Sequence, residues 1–200
     1  MSAAGILLLL IVITAVIVGG FIWKSYNRLV TLKNRYQNAY SQIDVQLQRR
    51  YDLIPNLVET AKGYMAHERE TLEAVIAARN QAMSASRAAA ADPSDPQAIQ
   101  QAAAAEAGLS GVLNRLMVVS EAYPELKADQ SMNTVMEELR TTENKISFAR
   151  QAFNDAVTLY NTSREVFPNN LIAGTFNFSA GELWAELAPE ARQAPRVSFS

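Results

Sequence analysis

One histidine and no cysteine narrow the chemistry open to this chain of 200 residues. His67 lies in the run His67-Glu68-Arg69-Glu70-Thr71. A zincin helix would need a second histidine at position 71, so that two imidazoles meet zinc from one face. A di-iron bundle needs two Glu-x-x-His pairs, which a single histidine cannot supply. There is no thiol nucleophile, no P-loop and no dinucleotide-binding glycine fingerprint. Gly108-Leu109-Ser110-Gly111 lacks the spacing of a nucleophile elbow. The residue types therefore predict no catalytic group, no metal ligand set, no cofactor and no enzyme. A hydrolase built on carboxylates such as Asp44, Glu59 or Glu143 is the remote alternative.

Binding chemistry is better represented than catalysis. Arginine and tyrosine are enriched at interfaces, and Arg49-Arg50-Tyr51-Asp52 brings them together at one corner. A second polar set, Glu143, Asn144, Arg150, Asn154, Asp155 and Asn161, accompanies an apolar stripe. Asn34, Asn38, Gln42, Asp44 and Gln46 do the same nearer the N-terminus. Such groups either contact neighbouring subunits or hydrogen-bond between helices and fix their register. An intramolecular cap at the arginine corner and ordinary solvated faces elsewhere are the alternatives.

The elements that hold these residues start with an apolar one. No side chain before Lys24 is charged. About 20 apolar residues at 1.5 Å each cross a hydrocarbon core of ~30 Å, so residues 1–23 predict a transmembrane anchor. A signal peptide would show a basic leading region, a shorter apolar run and a small-residue cleavage site, and these are missing. Trp23 and Tyr26 with Lys24 and Arg28 resemble an interfacial girdle. Lys24, Arg28, Lys33 and Arg35 precede the first acid, Asp44, so the positive-inside rule predicts the N-terminus outside and the remainder in the cytoplasm. The same basic stretch could lie near anionic headgroups. The net charge of −2 excludes a general nucleic-acid footprint, which needs a basic surface.

Residues 24–187 predict one all-α domain, an antiparallel four-helix bundle of long helices with a short C-terminal segment packed on it. Prolines divide it into helices at about 24–51, 55–91, 96–122 and 132–167. In the first, Leu29, Leu32, Tyr36, Ala39 and Ile43 form a packing seam. Alanine buries little surface, so the alanine-rich residues 84–108 predict a thin, mobile tip at the end of the bundle far from the anchor. In the fourth helix Leu139, Ile146, Phe153, Tyr160 and Phe167 fall seven apart, with small Thr142, Ala149, Ala156 and Ser163 between them. That alternation suits a closely packed, left-handed arrangement. A short helix at about 180–187 and a tail at 188–200 close the chain. The aromatics there either clip onto the bundle, the favoured reading because Glu182 and Glu186 would be repelled by anionic lipid, or lie on the membrane.

Several runs are specific enough to resemble a known family. They include Tyr26-Asn27-Arg28-Leu29-Val30, the continuous stretch from Gln42 to Val58, Gly63-Tyr64-Met65-Ala66-His67-Glu68 and Tyr123-Pro124-Glu125-Leu126-Lys127-Ala128. Thr142-Glu143-Asn144-Lys145-Ile146, Ala149-Arg150-Gln151-Ala152-Phe153-Asn154-Asp155, Tyr160-Asn161, Phe167-Pro168 and Ala194-Pro195-Arg196-Val197-Ser198-Phe199 continue it in order. Together they resemble the LemA family over nearly the whole chain. The resemblance implies a bacterial inner-membrane protein with an N-terminal anchor, a helical bundle and no established catalytic residues. Its relatives include a magnetosome membrane protein, and its members are often encoded beside membrane proteases. The expected function is a self-associating membrane scaffold, with the lipid bilayer and further copies of the chain as partners. A monomeric adaptor for a membrane protease or envelope-stress system is the alternative.

Overall fold

The computed structural model describes residues 3–185, and among these every regular element is a helix. They are α1 (Ala3–Lys62), α2 (Arg69–Ala91), α3 (Pro96–Ser120), α4 (Pro124–Ala128), α5 (Gln130–Glu165) and α6 (Asn169–Thr175). The 60 residues of α1 form one rod, about 90 Å long at 1.5 Å per residue. Its first third is apolar and almost wholly exposed, meeting the rest of the chain near Gly19 and Ile22, whereas from Ser25 onward it is the central post of the domain. Past Lys24 it packs along α5 and α2, and α2 packs along α3. Tyr36 reaches the α2–α3 turn at Ser94, Arg50 reaches Glu106 within α3, and Tyr64 reaches Asp129 just before α5. Successive long helices thus run alternately away from the apolar segment and back towards it.

Of the expected seam on α1, Leu29, Leu32, Tyr36 and Ile43 are buried and Ala39 is half-buried; Tyr40, Leu47, Tyr51, Ile54 and Leu57 also face inward. On α5 the stripe Leu139, Ile146, Phe153 and Tyr160 is buried with Thr142, Ala156 and Ser163. The Phe153 ring meets Tyr36 and Tyr40 edge-on at 6.3 and 5.7 Å, the offset geometry that aromatic quadrupoles favour. Phe167 lies outside this stripe and is exposed, because α5 stops at Glu165 and the chain turns into α6.

Pro55 does not end a helix, contrary to the expected boundaries at 51 and 55. Proline removes the N–H that would bond the carbonyl four residues earlier, here that of Tyr51. Arg79 of α2 supplies the substitute, its Nε donating to the Tyr51 carbonyl at 2.7 Å. The first break falls instead between Gly63 and Glu68, and α2 starts at Arg69 rather than 55. His67 sits exposed in this connection, not on a helix.

The alanine-rich residues 84–108 are not a distal tip. The α2–α3 turn lies beside Tyr36 and Gln37, the half of the domain nearer the apolar segment. Ala89, Ala98, Ala102 and Ala103 are buried there, because small side chains let α2 and α3 approach closely. The far end is formed by the α1–α2 connection and α4, joined by the Tyr64–Asp129 and Tyr123–Glu68 hydrogen bonds. Asp129 caps α5 through the Met132 N–H, which with the Tyr64 hydroxyl holds its carboxyl below the usual aspartate range.

No helix forms at 180–187 among the described residues. The chain turns at Asn177, which adopts φ 55°, a left-handed conformation asparagine tolerates. It then runs as an irregular strap through Ala185, and residues 186–200 lie outside the described part.

Candidate functional site

The polar residues singled out by their spacing divide between the interior, the strap and the solvent. Arg50 projects from α1 into the bundle and is buried with Glu106 of α3. Its Nη1 lies 3.1 Å from Glu106 Oε2 and 3.0 Å from Glu143 Oε2 of α5, while Nη2 donates to Ser110 Oγ at 2.8 Å. The Tyr51 hydroxyl donates to Glu106 Oε1 at 2.5 Å. Arg150 of α5 approaches Glu106 Oε2 at 3.7 Å, and its guanidinium lies 5.0 Å from the centre of the Trp184 ring. Two cations and two carboxylates therefore meet at one level and tie α1, α3, α5 and the strap together.

The electrostatics follow from burial. Glu106 is 1% exposed, and loss of water pushes its carboxyl above the ordinary glutamate range against the pull of Arg50, Tyr51 and Arg150. Burial likewise lowers the Arg150 guanidinium, opposed by Glu106 and Glu143. The Tyr51 and Tyr40 hydroxyls are raised well above their usual value, first by burial and, for Tyr51, next by the Glu106 charge. They act as proton-retaining donors. Raised carboxyls also mark catalytic acids, but here the carboxylate is enclosed by the Arg50 and Arg150 guanidinium groups and the Tyr51 phenol. Surface grooves of about 740 and 800 Å³ lie between α2 and α3 and between α1 and α2, and neither is lined by Arg50, Glu106, Glu143 or Arg150.

Asn154 and Asn161, one heptad apart on α5, clasp the strap. Asn161 accepts from the Gly181 N–H at 2.8 Å and donates to its carbonyl at 2.9 Å. Asn154 does the same with Trp184, at 2.8 and 3.1 Å. Tyr160 donates to the Ser179 carbonyl at 2.8 Å, and burial pushes its hydroxyl up to about 12. Glycine at 181 lets the strap lie close on α1 and α5. A Cβ there would meet Val157 Cγ1 at 3.1 Å and the Tyr36 ring at 3.6 Å. The strap is thus held by paired amide bonds that serve the backbone as a neighbouring strand would, and Trp184 fills the space beside Tyr40 and Arg150.

The expected lateral contact at Arg49-Arg50-Tyr51-Asp52 is revised by this placement. Arg50 and Tyr51 point inward and hold the chain's own α3, the intramolecular cap that was the alternative, while Arg49 and Asp52 face solvent with Asp52 bonded by Gln48. Of the α5 set, Glu143 bridges interior and rim, Arg150 is internal, Asn154 and Asn161 bind the strap, and Asn144 and Asp155 are exposed. Of the α1 set, Asp44 accepts from Ser86, whereas Asn34, Asn38 and Gln42 are exposed.

Sequence reasoning missed Glu106, Ser110, Arg79 and the role of Trp184. The signal for Glu106 was present. It is the one acid within Ala102-Ala103-Ala104-Ala105-Glu106-Ala107, and it continues the inward spacing of Ile99, Ala102, Ala103, Leu109 and Leu113.

Comparison with known proteins bears on the whole of this arrangement. The sequence model of the LemA family matches residues 39–199, which include the seam of α1 from Ala39 onward, the polar cluster and the strap. Magnetosome protein MamQ 2 and magnetosome protein MamQ 1 of Paramagnetospirillum magneticum are each 26% identical over 176 residues, covering 80% of this chain and 65% of the relative. Magnetosome protein MamQ of Magnetospirillum gryphiswaldense is 24% identical over the same length and shares. The chain thus spans less than two-thirds of these relatives' own length.

Proposed function

The chain belongs to the LemA family, and we propose that it is a non-enzymatic scaffold, anchored by α1 in a bacterial inner membrane, that self-associates to organise or shape that membrane or to gather partner proteins there. The observation that carries this reading is the continuity of α1. A span joined to its domain by a flexible linker lets the domain tumble, whereas an uninterrupted helix passes every tilt or displacement of the span to the bundle. From Lys24 to Lys62 the post extends about 57 Å at 1.5 Å per residue. Tethering also raises effective concentration, so weak side contacts between bundles add up. The likeness to proteins named for the magnetosome supports an organising role.

Crosslinking in native membranes followed by mass measurement should yield oligomers of the full chain. Monomers alone would remove the scaffold reading and put the membrane-protease or envelope-stress adaptor in its place. Because Arg50 is internal, a lateral contact at this corner is tested by Arg49→Glu, which should reduce crosslinked species at unchanged helix content; Arg50→Glu would test folding instead. Orientation is a separate expectation. A reporter active only in the periplasm, fused after Ser200, should be silent if the bundle faces the cytoplasm, and strong activity would reverse the topology while leaving the anchor intact.

A further inference from the structure

Between Glu165 and Glu182 no side chain is charged. The fold brings this stretch down beside the other charge-free segment, the apolar third of α1. From the end of α5, α6 descends along α1 and packs Ile172 and Ala173 against Leu29, with Ile22 alongside. At the lowest point Phe176 stacks edge-on against Tyr26 at 5.0 Å and helps line an apolar hollow of about 280 Å³ with Gly19, Ile22, Trp23 and Tyr26. Gly19 and Ile22 lie before the first ion of the chain, so Phe176 is level with the predicted span. The backbone then turns at Asn177 and climbs back, past Tyr26 through Phe178 and on to Tyr36 at Gly181.

This path leaves a patch that the bundle does not cover. Phe176 is 48% exposed, Leu171 60%, Phe167 78% and Trp23 73%. The remaining side chains of the dip are uncharged polar groups such as Asn169, Asn170, Thr175 and Asn177, and exposed Lys24 and Arg28 flank it on α1. Aromatic rings with neutral polar and basic neighbours are the composition that suits a headgroup boundary. The headgroup layer on each side of the core is about 5–7 Å thick, so an element level with Trp23 and Tyr26 cannot avoid it once α1 spans the bilayer. The repulsion expected from Glu182 does not arise, since the return of the strap carries that residue up to Gln100 of α3.

We infer that the dip formed by α6 and Phe176 is a second membrane contact, seated in the headgroup region of the leaflet from which α1 emerges, and that it fixes the tilt and rotation of the bundle over the bilayer. This rests on the reading of α1 as a transmembrane anchor. The natural absence of cysteine makes the test direct. Full-length single-cysteine variants Phe176→Cys, Leu171→Cys and Phe148→Cys are labelled with a small fluorophore and reconstituted into phosphatidylcholine–phosphatidylglycerol vesicles. Phe148 is the internal control, an equally apolar exposed residue on α5 at 73%, about 30 Å farther along the post.

Lipids spin-labelled near the headgroup should quench the labels at 176 and 171 several-fold more strongly than the label at 148. Aqueous iodide should show the reverse order. Equal lipid quenching at 176, 171 and 148 in protein that floats with the vesicles overturns the inference and leaves the anchor standing. Shielding from iodide without lipid quenching also overturns it, because another protein surface would then cover the patch. Protein that does not float overturns the anchor reading and this one with it.

Discussion

Replacing Leu9 and Ile13 together with arginine should eliminate membrane retention. Both residues are exposed and lie near the middle of an apolar segment that meets the bundle only at its last few residues. Each arginine near the centre of a span costs about 2.5 to 3.5 kcal/mol on insertion scales, so the pair costs roughly 5 to 7 kcal/mol. The bundle offers no compensating partner, because the apolar third of α1 protrudes from it. Alkaline extraction of membranes should therefore leave the parent in the pellet, with the variant released or degraded. Arginine pairs placed at the exposed Asn34 and Asn38 should leave the parent distribution unchanged. Retention of the Leu9/Ile13 variant, or a mature parent beginning near Lys24, would show that the segment is not an uncleaved anchor.

What was legible in the sequence is what periodicity encodes. The apolar run before Lys24, the α1 seam and the sevenfold stripe on α5 depend on one side chain at a time, and each appears where its spacing placed it save Phe167, which falls beyond the end of α5. The misplaced features depend on pairs of residues far apart in the chain. Pro55 reads as a breaker until Arg79, 24 positions later, caps the orphaned Tyr51 carbonyl. The alanines of α2 and α3 read as a distal tip until Tyr36 and Gln37 of α1 meet Ser94 and hold the turn between the two helices in the half of the domain nearer the apolar segment. A helix at 180–187 reads plausibly from its apolar residues, but Asn154 and Asn161 take the backbone groups of Trp184 and Gly181 first. Arginine and tyrosine at 50 and 51 carry no mark that separates an external contact from an internal one. Only the acid at 106, continuing an inward helical period, distinguishes the two.

That acid sets the second large effect. Glu106→Ala should destabilise the folded chain by about 3 to 5 kcal/mol, since it strips the acceptor from two buried donors and leaves the arginines short of a carboxylate. Unfolding of the full chain in detergent, followed by helical circular dichroism, should show a midpoint lower by on the order of 10 °C. Glu106→Gln is expected to cost much less, because its amide oxygen can still accept from Arg50 while its NH2 group donates to the Tyr51 hydroxyl oxygen, which can turn its own proton away. The two variants separate hydrogen bonding from charge, and pH separates them again. Burial raises the folded value of Glu106 above its unfolded one, so the folded state favours the protonated acid at this site. Its contribution is complete below the unfolded glutamate range and is lost as pH rises through the raised folded value. Glutamine does not titrate. The stability of the parent relative to Glu106→Gln should therefore fall as pH rises across that interval. A relative stability that instead grows with pH would mean that attraction to Arg50 and Arg150 outweighs the loss of water, and that the cluster is held by its charges rather than by its acceptors.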